Sequence, residues 1–226
     1  MGSYLRKLWA IALKDLRIEL RTREVLGSMA LFSVLAAVVF GLAFDLRIPD
    51  SEVVVPGVLW VVMLFAGTLG LNRSFGGEVE LGTLAALLLA PVDRSAIFFG
   101  KVLANLVLLL ITQLLVLPSI LILYDSNLFR PWILVSLFFG ALGYAIVGAF
   151  FAALTAGVHS RETLLPIMLL PVLVPLFLAG VGLTTAVLDG RPFIDFRHWV
   201  ALLIAYDLIF VVISFLLFDL IWEEVE

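Results

Sequence analysis

The chain has 226 residues, 63% hydrophobic and 14% charged, with a formal net charge of −4 and a mean hydropathy of +1.20. These values exclude an ordinary soluble domain and leave no length for an added soluble catalytic domain beside the apolar blocks. Cysteine is absent, which excludes disulfides, thiolate chemistry and C-x-x-C-H haem attachment. No cleavable signal peptide is expected, because the first apolar block starts too late and no small-residue cleavage site follows a short apolar run. Arg6 stands where an N-myristoylation signal needs Ser or Thr.

The spacing first predicts a helix over 4–23. Leu5, Leu8, Trp9, Ala12, Leu13, Leu16 and Leu20 share one face, and Arg6, Lys7, Lys14, Arg17 and Arg21 lie mostly away from it. Such a helix lies in the membrane interface, its apolar stripe among acyl chains and its cations at anionic headgroups. Trp9, Lys14, Arg17 and Arg21 are the residues expected to act there, either as a passive anchor or as part of a docking surface for a cytoplasmic partner.

Six apolar blocks follow, roughly Val25–Phe44, Val53–Asn72, Ala96–Leu123, Trp132–Val158, Thr163–Val187 and Trp199–Trp222. A spanning helix needs about 20 apolar residues. Lipid offers no hydrogen-bond partner, and continuous rather than alternating apolar runs exclude a barrel, so each block is expected to be a helix. The expected fold is an all-α membrane protein, one permease domain over 1–226. It comprises an interfacial helix at 1–24, six spans across 25–222 and a tail at 223–226.

The loop between the second and third spans carries Arg73, Glu78, Glu80, Gly82, Thr83, Leu84, Leu87, Leu88, Pro91 and Arg94. Gly82 suits a turn, Thr83 suits an N-cap, and Leu84–Leu89 reads as one to two helical turns stopped by Pro91. A short apolar helix held outside the membrane between acidic residues is a knob seeking a socket. No nucleotide site accompanies it: Gly100-Lys101 is followed by Val102 and lacks the upstream glycine of a P-loop.

In the third span, Asn105, Thr112 and Gln113 fall on one side as polar glue between helices. In the fourth, Ala141, Ala145, Ala149, Ala153 and Gly157 recur every four residues, with Gly140 and Gly148 alongside. That spacing predicts close helix packing rather than chemistry. The fifth contains Pro166, Pro171 and Pro175, then Gly180 and Gly182, and is expected to kink or break. Its outer part, with the connection 189–197, is expected to form a re-entrant or surface element. In the sixth, Asp207 is an ionisable group at depth. A proton relay needs several such groups, and no other span carries one in its middle. A structural carboxylate paired near Ser214 is the expectation.

Lys and Arg set the orientation. Arg6, Lys7, Lys14, Arg17, Arg21, Arg23, Arg73, Arg94, Lys101 and Arg161 lie on one side, against Arg47, Arg130, Arg191 and Arg197 on the other. That bias places both termini and loops 72–95 and 159–162 in the cytoplasm.

Glu80-x-Gly82-Thr83-Leu84-x-x-Leu87-Leu88-x-x-Pro91-Val92, followed by Gly100-Lys101, resembles the coupling loop of type-2 ABC exporter permeases. Three further stretches are similar to the CcmB family of cytochrome c biogenesis permeases, the haem exporter B proteins. They are Lys14-Asp-Leu-Arg17, Pro56-Gly-Val-Leu-Trp60-Val, and Leu170-Pro-Val-Leu-Val-Pro175. Ala85 and Gly76-Gly77 depart from the more charged pattern of many relatives.

The resemblance implies a non-enzymatic subunit of the bacterial cytoplasmic (inner) membrane, with a cytoplasmic coupling helix between spans 2 and 3. It implies a CcmA-like ABC ATPase that binds ATP, a second copy of the chain, and CcmC-like, CcmD-like and haem-chaperone CcmE-like partners. Hydrolysis would drive haem export or release of the loaded chaperone. No cofactor, metal or catalytic residue is expected in the subunit, and no nucleic-acid partner. His159 and His198 are the only histidines and so the only candidate axial haem ligands; His198 beside Trp199 reads as an interfacial pair, with a ligand role as the alternative. The competing expectations are a type-2 exporter of a lipid, glycan or drug, and a non-transporting membrane scaffold.

The orientation is testable by labelling. Cys introduced at Ser74 should resist an impermeant thiol reagent in intact cells, and Cys at Ser51 should react. The reverse pattern would invert the topology.

Overall fold

A computed structural model describes residues 2–45, 53–80, 93–155, 158 and 160–223; for 2–3, 45, 72–80, 94, 161–162 and 218–223 it describes the backbone alone. Among the described residues there are seven helices: α1 (Gly2–Thr22), α2 (Glu24–Asp45), α3 (Val55–Glu80), α4 (Arg94–Tyr124), α5 (Pro131–Leu154), α6 (Arg161–Leu188) and α7 (Phe193–Glu223). Stretches of α2, α4, α5, α6 and α7 are each long and apolar enough to cross a membrane, and Val55–Leu71 of α3 is a shorter apolar helix. The chain is a multi-pass membrane protein.

Contacts between helix ends fix an up-and-down arrangement. At one end Tyr124 of α4 donates to the Ala37 carbonyl of α2 at 3.0 Å, and Trp132 at the start of α5 stacks on Phe193 of α7 with ring centres 4.6 Å apart. There Arg130 also donates to the carbonyls of Val187 and Leu188 that end α6, where a cation meets the negative end of the helix dipole. The opposite end gathers the heads of α2, α4 and α6 with the tails of α3, α5 and α7.

The centre is α5. Ala141, Ala145, Ala149 and Ala153 are buried, as the four-residue repeat predicts. Its glycines do something the spacing did not reveal: they admit side chains. Trp60 of α3 lies in a seat formed by Gly140 of α5 and Gly180 of α6, where a Cβ on either glycine would overlap the ring. The indole Nε1–H donates to Thr184 Oγ1 at 3.0 Å, and that hydroxyl donates to the Gly180 carbonyl at 2.8 Å. Phe177 meets the indole edge-on at 5.7 Å. One level nearer the head of α4, Tyr144 of α5 and Thr68 of α3 share a 2.8 Å hydrogen bond.

Three sequence expectations need correction. Helix α3 runs on to Glu80, so residues 73–80 are helical rather than loop. Helix α6 is continuous despite Pro166, Pro171 and Pro175. Leu165, Leu169, Leu173, Leu176, Ala179 and Leu183 form an unbroken buried stripe along it, while Pro171 and Pro175 lie on its exposed side. Packing along the whole stripe outweighs the lost backbone donors. The 189–197 connection is a tight turn, since Phe193 already begins α7 and Arg191 N–H returns to the Ala186 carbonyl at 3.0 Å.

Gly180→Val should force the Trp60 ring from its seat and lower the thermal midpoint in detergent. Trp60→Ala should cost about 3 kcal/mol or more by leaving that seat empty. Combining Gly180→Val with Trp60→Leu should recover part of the first loss, because contacting residues behave non-additively. Additive losses would place ring and glycine apart.

Candidate coupling interface and buried polar centre

Of the expected coupling residues, Gly82, Thr83, Leu84, Leu87, Leu88 and Pro91 lie outside the described residues. Arg73, Glu78 and Glu80 lie on the last two turns of α3, and Arg94 begins α4. The tail of α3 and the head of α4 therefore flank the 81–92 segment at the same end of the bundle as α1.

Helix α1 lies against the head of α4. Its buried edge is Ile11, Ala12 and Glu19, with Tyr4, Leu8 and Asp15 half-buried on the same side. Gly100 of α4 allows the approach: a Cβ there would come 2.9 Å from Ile11 Cβ and 3.0 Å from the Leu8 carbonyl oxygen. One residue on, Lys101 is 2% exposed, and its Nζ lies 3.5 Å from Asp15 Oδ2; Lys14 Nζ lies 3.0 Å from the other Asp15 oxygen. A buried cation needs such a partner, because burying a charge alone costs several kcal/mol. Tyr4 adds a 3.3 Å hydrogen bond to Ser95 Oγ in the first turn of α4.

The outer edge of α1 is different. Leu5, Trp9 and Leu20 are exposed, with Lys14, Arg17 and Arg21 exposed around them. The predicted apolar stripe thus divides, one edge meeting α4 and the other left open.

Helix α1 also governs the start of α2. Between them Arg23 adopts a left-handed backbone with φ 55°, a conformation that side chains other than glycine rarely take. Across this elbow Arg23 N–H donates to the Glu19 carbonyl at 2.6 Å, and Gly27 N–H donates to the Arg23 carbonyl at 3.0 Å. The Glu19 carboxylate then accepts the Leu26 N–H at 2.7 Å, satisfying one of the unpaired donors of the first turn of α2. Asp15 and Glu19 were not singled out from the sequence. A signal existed: two acids one turn apart on the Tyr4–Leu8–Ile11 edge of an otherwise cationic helix.

Among the intramembrane polar residues, Gln113 bridges helices as expected. Its Nε2 donates to the Leu137 carbonyl of α5 at 3.3 Å and faces Met63 Sδ of α3 at 3.2 Å. Thr112 bonds back to its own helix at Leu108. Asn105 does not bridge: it is buried beside a small cleft lined by Met29, Gly67 and Gly70, and its Nδ2 has no hydrogen-bond partner among the described residues. Asp207 is 4% exposed midway along α7, its Oδ1 packed where a side chain on Gly143 would sit. The expected pairing is not found. Neither carboxylate oxygen has a hydrogen-bond partner among the described residues, and Ser214, buried two turns on, has none either.

His198 is exposed on α7 with its ring centre 4.5 Å from that of Trp199, the arrangement read from the sequence. His159 lies outside the described residues.

A model of the CcmB protein family matches residues 6–219 of the chain. The chain is 31% identical over 189 residues to Heme exporter protein B of Rhodobacter capsulatus, covering 80% of this chain and 84% of that protein. Against Heme exporter protein B of Pseudomonas aeruginosa it is 29% identical over 196 residues, covering 86% and 88%. Against the protein of the same name from Paracoccus denitrificans it is 30% identical over 177 residues, covering 76% and 79%.

The α1–α4 contact can be trapped. With no native cysteine to interfere, Ile11→Cys with Gly100→Cys should cross-link on mild oxidation, since the 2.9 Å between their Cβ positions need open by only about 1 Å to reach the separation of about 3.8 Å that a disulfide takes. Leu5→Cys with Gly100→Cys should not, because Leu5 is on the open edge.

Proposed function

The chain belongs to the CcmB family, and from that premise we propose that it is the permease subunit of an ABC-transporter complex acting in cytochrome c maturation. ATP is bound and hydrolysed by a separate CcmA-like subunit that docks on the 81–92 segment. Arg73, Glu78, Glu80 and Arg94 rim that contact, and Leu84, Leu87 and Leu88 anchor it, with Gly82, Thr83 and Pro91 shaping the short helix. The chain crosses the inner membrane six times, α3 included, with both termini in the cytoplasm. It pairs with a second copy and works with CcmC-like, CcmD-like and CcmE-like proteins. The open edge of α1, with Trp9, Lys14, Arg17 and Arg21, rests in the cytoplasmic interface.

One observation carries this reading. The helix that leaves the 81–92 segment is braced at once, within its first two turns, by an ion pair and a hydrogen bond to α1. A head built to receive force needs such bracing; a passive span does not. The relatives' name supports haem as the group handled. The bundle centre is filled by Trp60, Tyr144 and Phe177, which favours a subunit that transmits motion to release a haem-loaded chaperone over one that passes haem through its own core.

Truncating buried anchors at an interface commonly costs about 2 kcal/mol or more, roughly 30-fold in affinity, while rim charges change less. Leu84→Asp with Leu87→Asp should insert normally yet fail to retain the ATPase on purification. Glu80→Gln should keep the ATPase and impair holocytochrome c output more than binding. Normal ATPase recovery and normal output from the double Asp variant would show that 81–92 is not the coupling element.

A further inference from the structure

Three side chains outside the coupling segment are held in a way that neither membrane anchoring nor simple packing accounts for. Buried Lys101 and half-buried Asp15 place an ion pair at a helix contact that Ile11 and Gly100 already close with apolar atoms. Glu19, only 6% exposed, spends its carboxylate on a backbone N–H of the next helix. Asp15 and Glu19 are one turn apart, roughly 6 Å along α1.

We infer that Asp15, Lys101 and Glu19 are positioning residues that make α1 a crossbar from the head of α4 to the head of α2, so that displacement at the 81–92 segment is delivered to α2. The crossbar follows from the contacts alone; the ATPase as the source of the displacement rests on the function proposed above.

The geometry works in both directions. When the head of α4 moves toward α1, Gly100 meets Ile11 and the Leu8 backbone, and α1 is pushed. When it moves away, the Lys101–Asp15 attraction pulls, because the buried ammonium resists separation from its counter-charge. An apolar contact alone transmits the push and not the pull. Tyr4–Ser95 adds a second attachment toward the N-terminal end of α1, which resists rotation about the first. At the other attachment the elbow is stiff: backbone hydrogen bonds run across Arg23, and the Glu19 carboxylate holds Leu26 directly. Deeper in the bundle α2 packs along α3 and α4, so the crossbar acts on its first turns.

Hydrogen exchange on the full-length subunit in nanodiscs tests the crossbar without any ATPase. Lys101→Gln and Asp15→Asn should each raise exchange in the first turns of α2, at Leu26–Met29, by about tenfold. The swap Asp15→Lys with Lys101→Asp should bring it back toward the wild-type rate. Glu19→Leu should raise exchange at the same amides, and Glu19→Gln, whose amide oxygen still accepts the Leu26 N–H, should not. Increased exchange confined to α1, with Leu26–Met29 unchanged in the Lys101 and Asp15 variants, overturns the inference. In the assembled complex, Asp15→Asn and Glu19→Leu should retain the ATPase but lose most holocytochrome c output, with Glu19→Gln preserving it. Normal output from both uncoupling variants also overturns the inference. Failure of the wild-type chain to retain an ATPase overturns the proposed function instead, and the exchange result still decides the crossbar.

Discussion

Trp60 sets the level of three helices at once. Lipid tails are as apolar as the side chains they would replace, so helices in a bilayer gain little from hiding apolar surface from one another and rely on close packing and hydrogen bonds. The indole supplies both. Its ring fills the hollow between Gly140 and Gly180, and its single donor finds Thr184, whose own proton goes to the Gly180 carbonyl. Sliding α3 by one turn against α5 and α6 would break the contact and the hydrogen bond together. The Tyr144–Thr68 bond, the Gln113 bridge and the Arg130 cap operate within the register that Trp60 imposes.

Much of this was legible in the residue pattern. Apolar blocks and their separating charges located the helices, and the cationic segment ahead of them read as a helix of its own. The small residues of α5 correctly signalled close packing. What composition and period could not show was which large residue enters which glycine hole, since Trp60 and Gly180 are distant in sequence. The proline-rich helix misled for a definite reason. Proline's cost is local and visible in a sequence, whereas the buried leucine stripe that outweighs it depends on three neighbouring helices, α3, α5 and α7.

The functional surface divides in the same way. The expected coupling segment was read from a motif, but the side chains that join the neighbouring head of α4 to α1 were not. Lys101 stood out in an incomplete phosphate-binding pattern, in the charge bias and in the family motif, never as half of an ion pair; its partner Asp15 belongs to a helix that periodicity assigned to the lipid surface. Asp207 shows the opposite failure. Its depth was readable, and the expectation of a partner was reasonable, yet Gly143 accommodates the carboxyl without supplying a hydrogen bond. An acid seated so specifically at such depth is unlike the interfacial charges at the helix ends.

The Lys101–Asp15 pair also constrains how the molecule is built. Synthesis delivers α1, α2 and α3 well before α4 exists, so Asp15 must wait at the membrane surface with only Lys14 and solvent for company. When α4 arrives, its head brings the Lys101 ammonium against α1, and Asp15 meets it there. The ion pair forms only when the head of α4 comes level with α1.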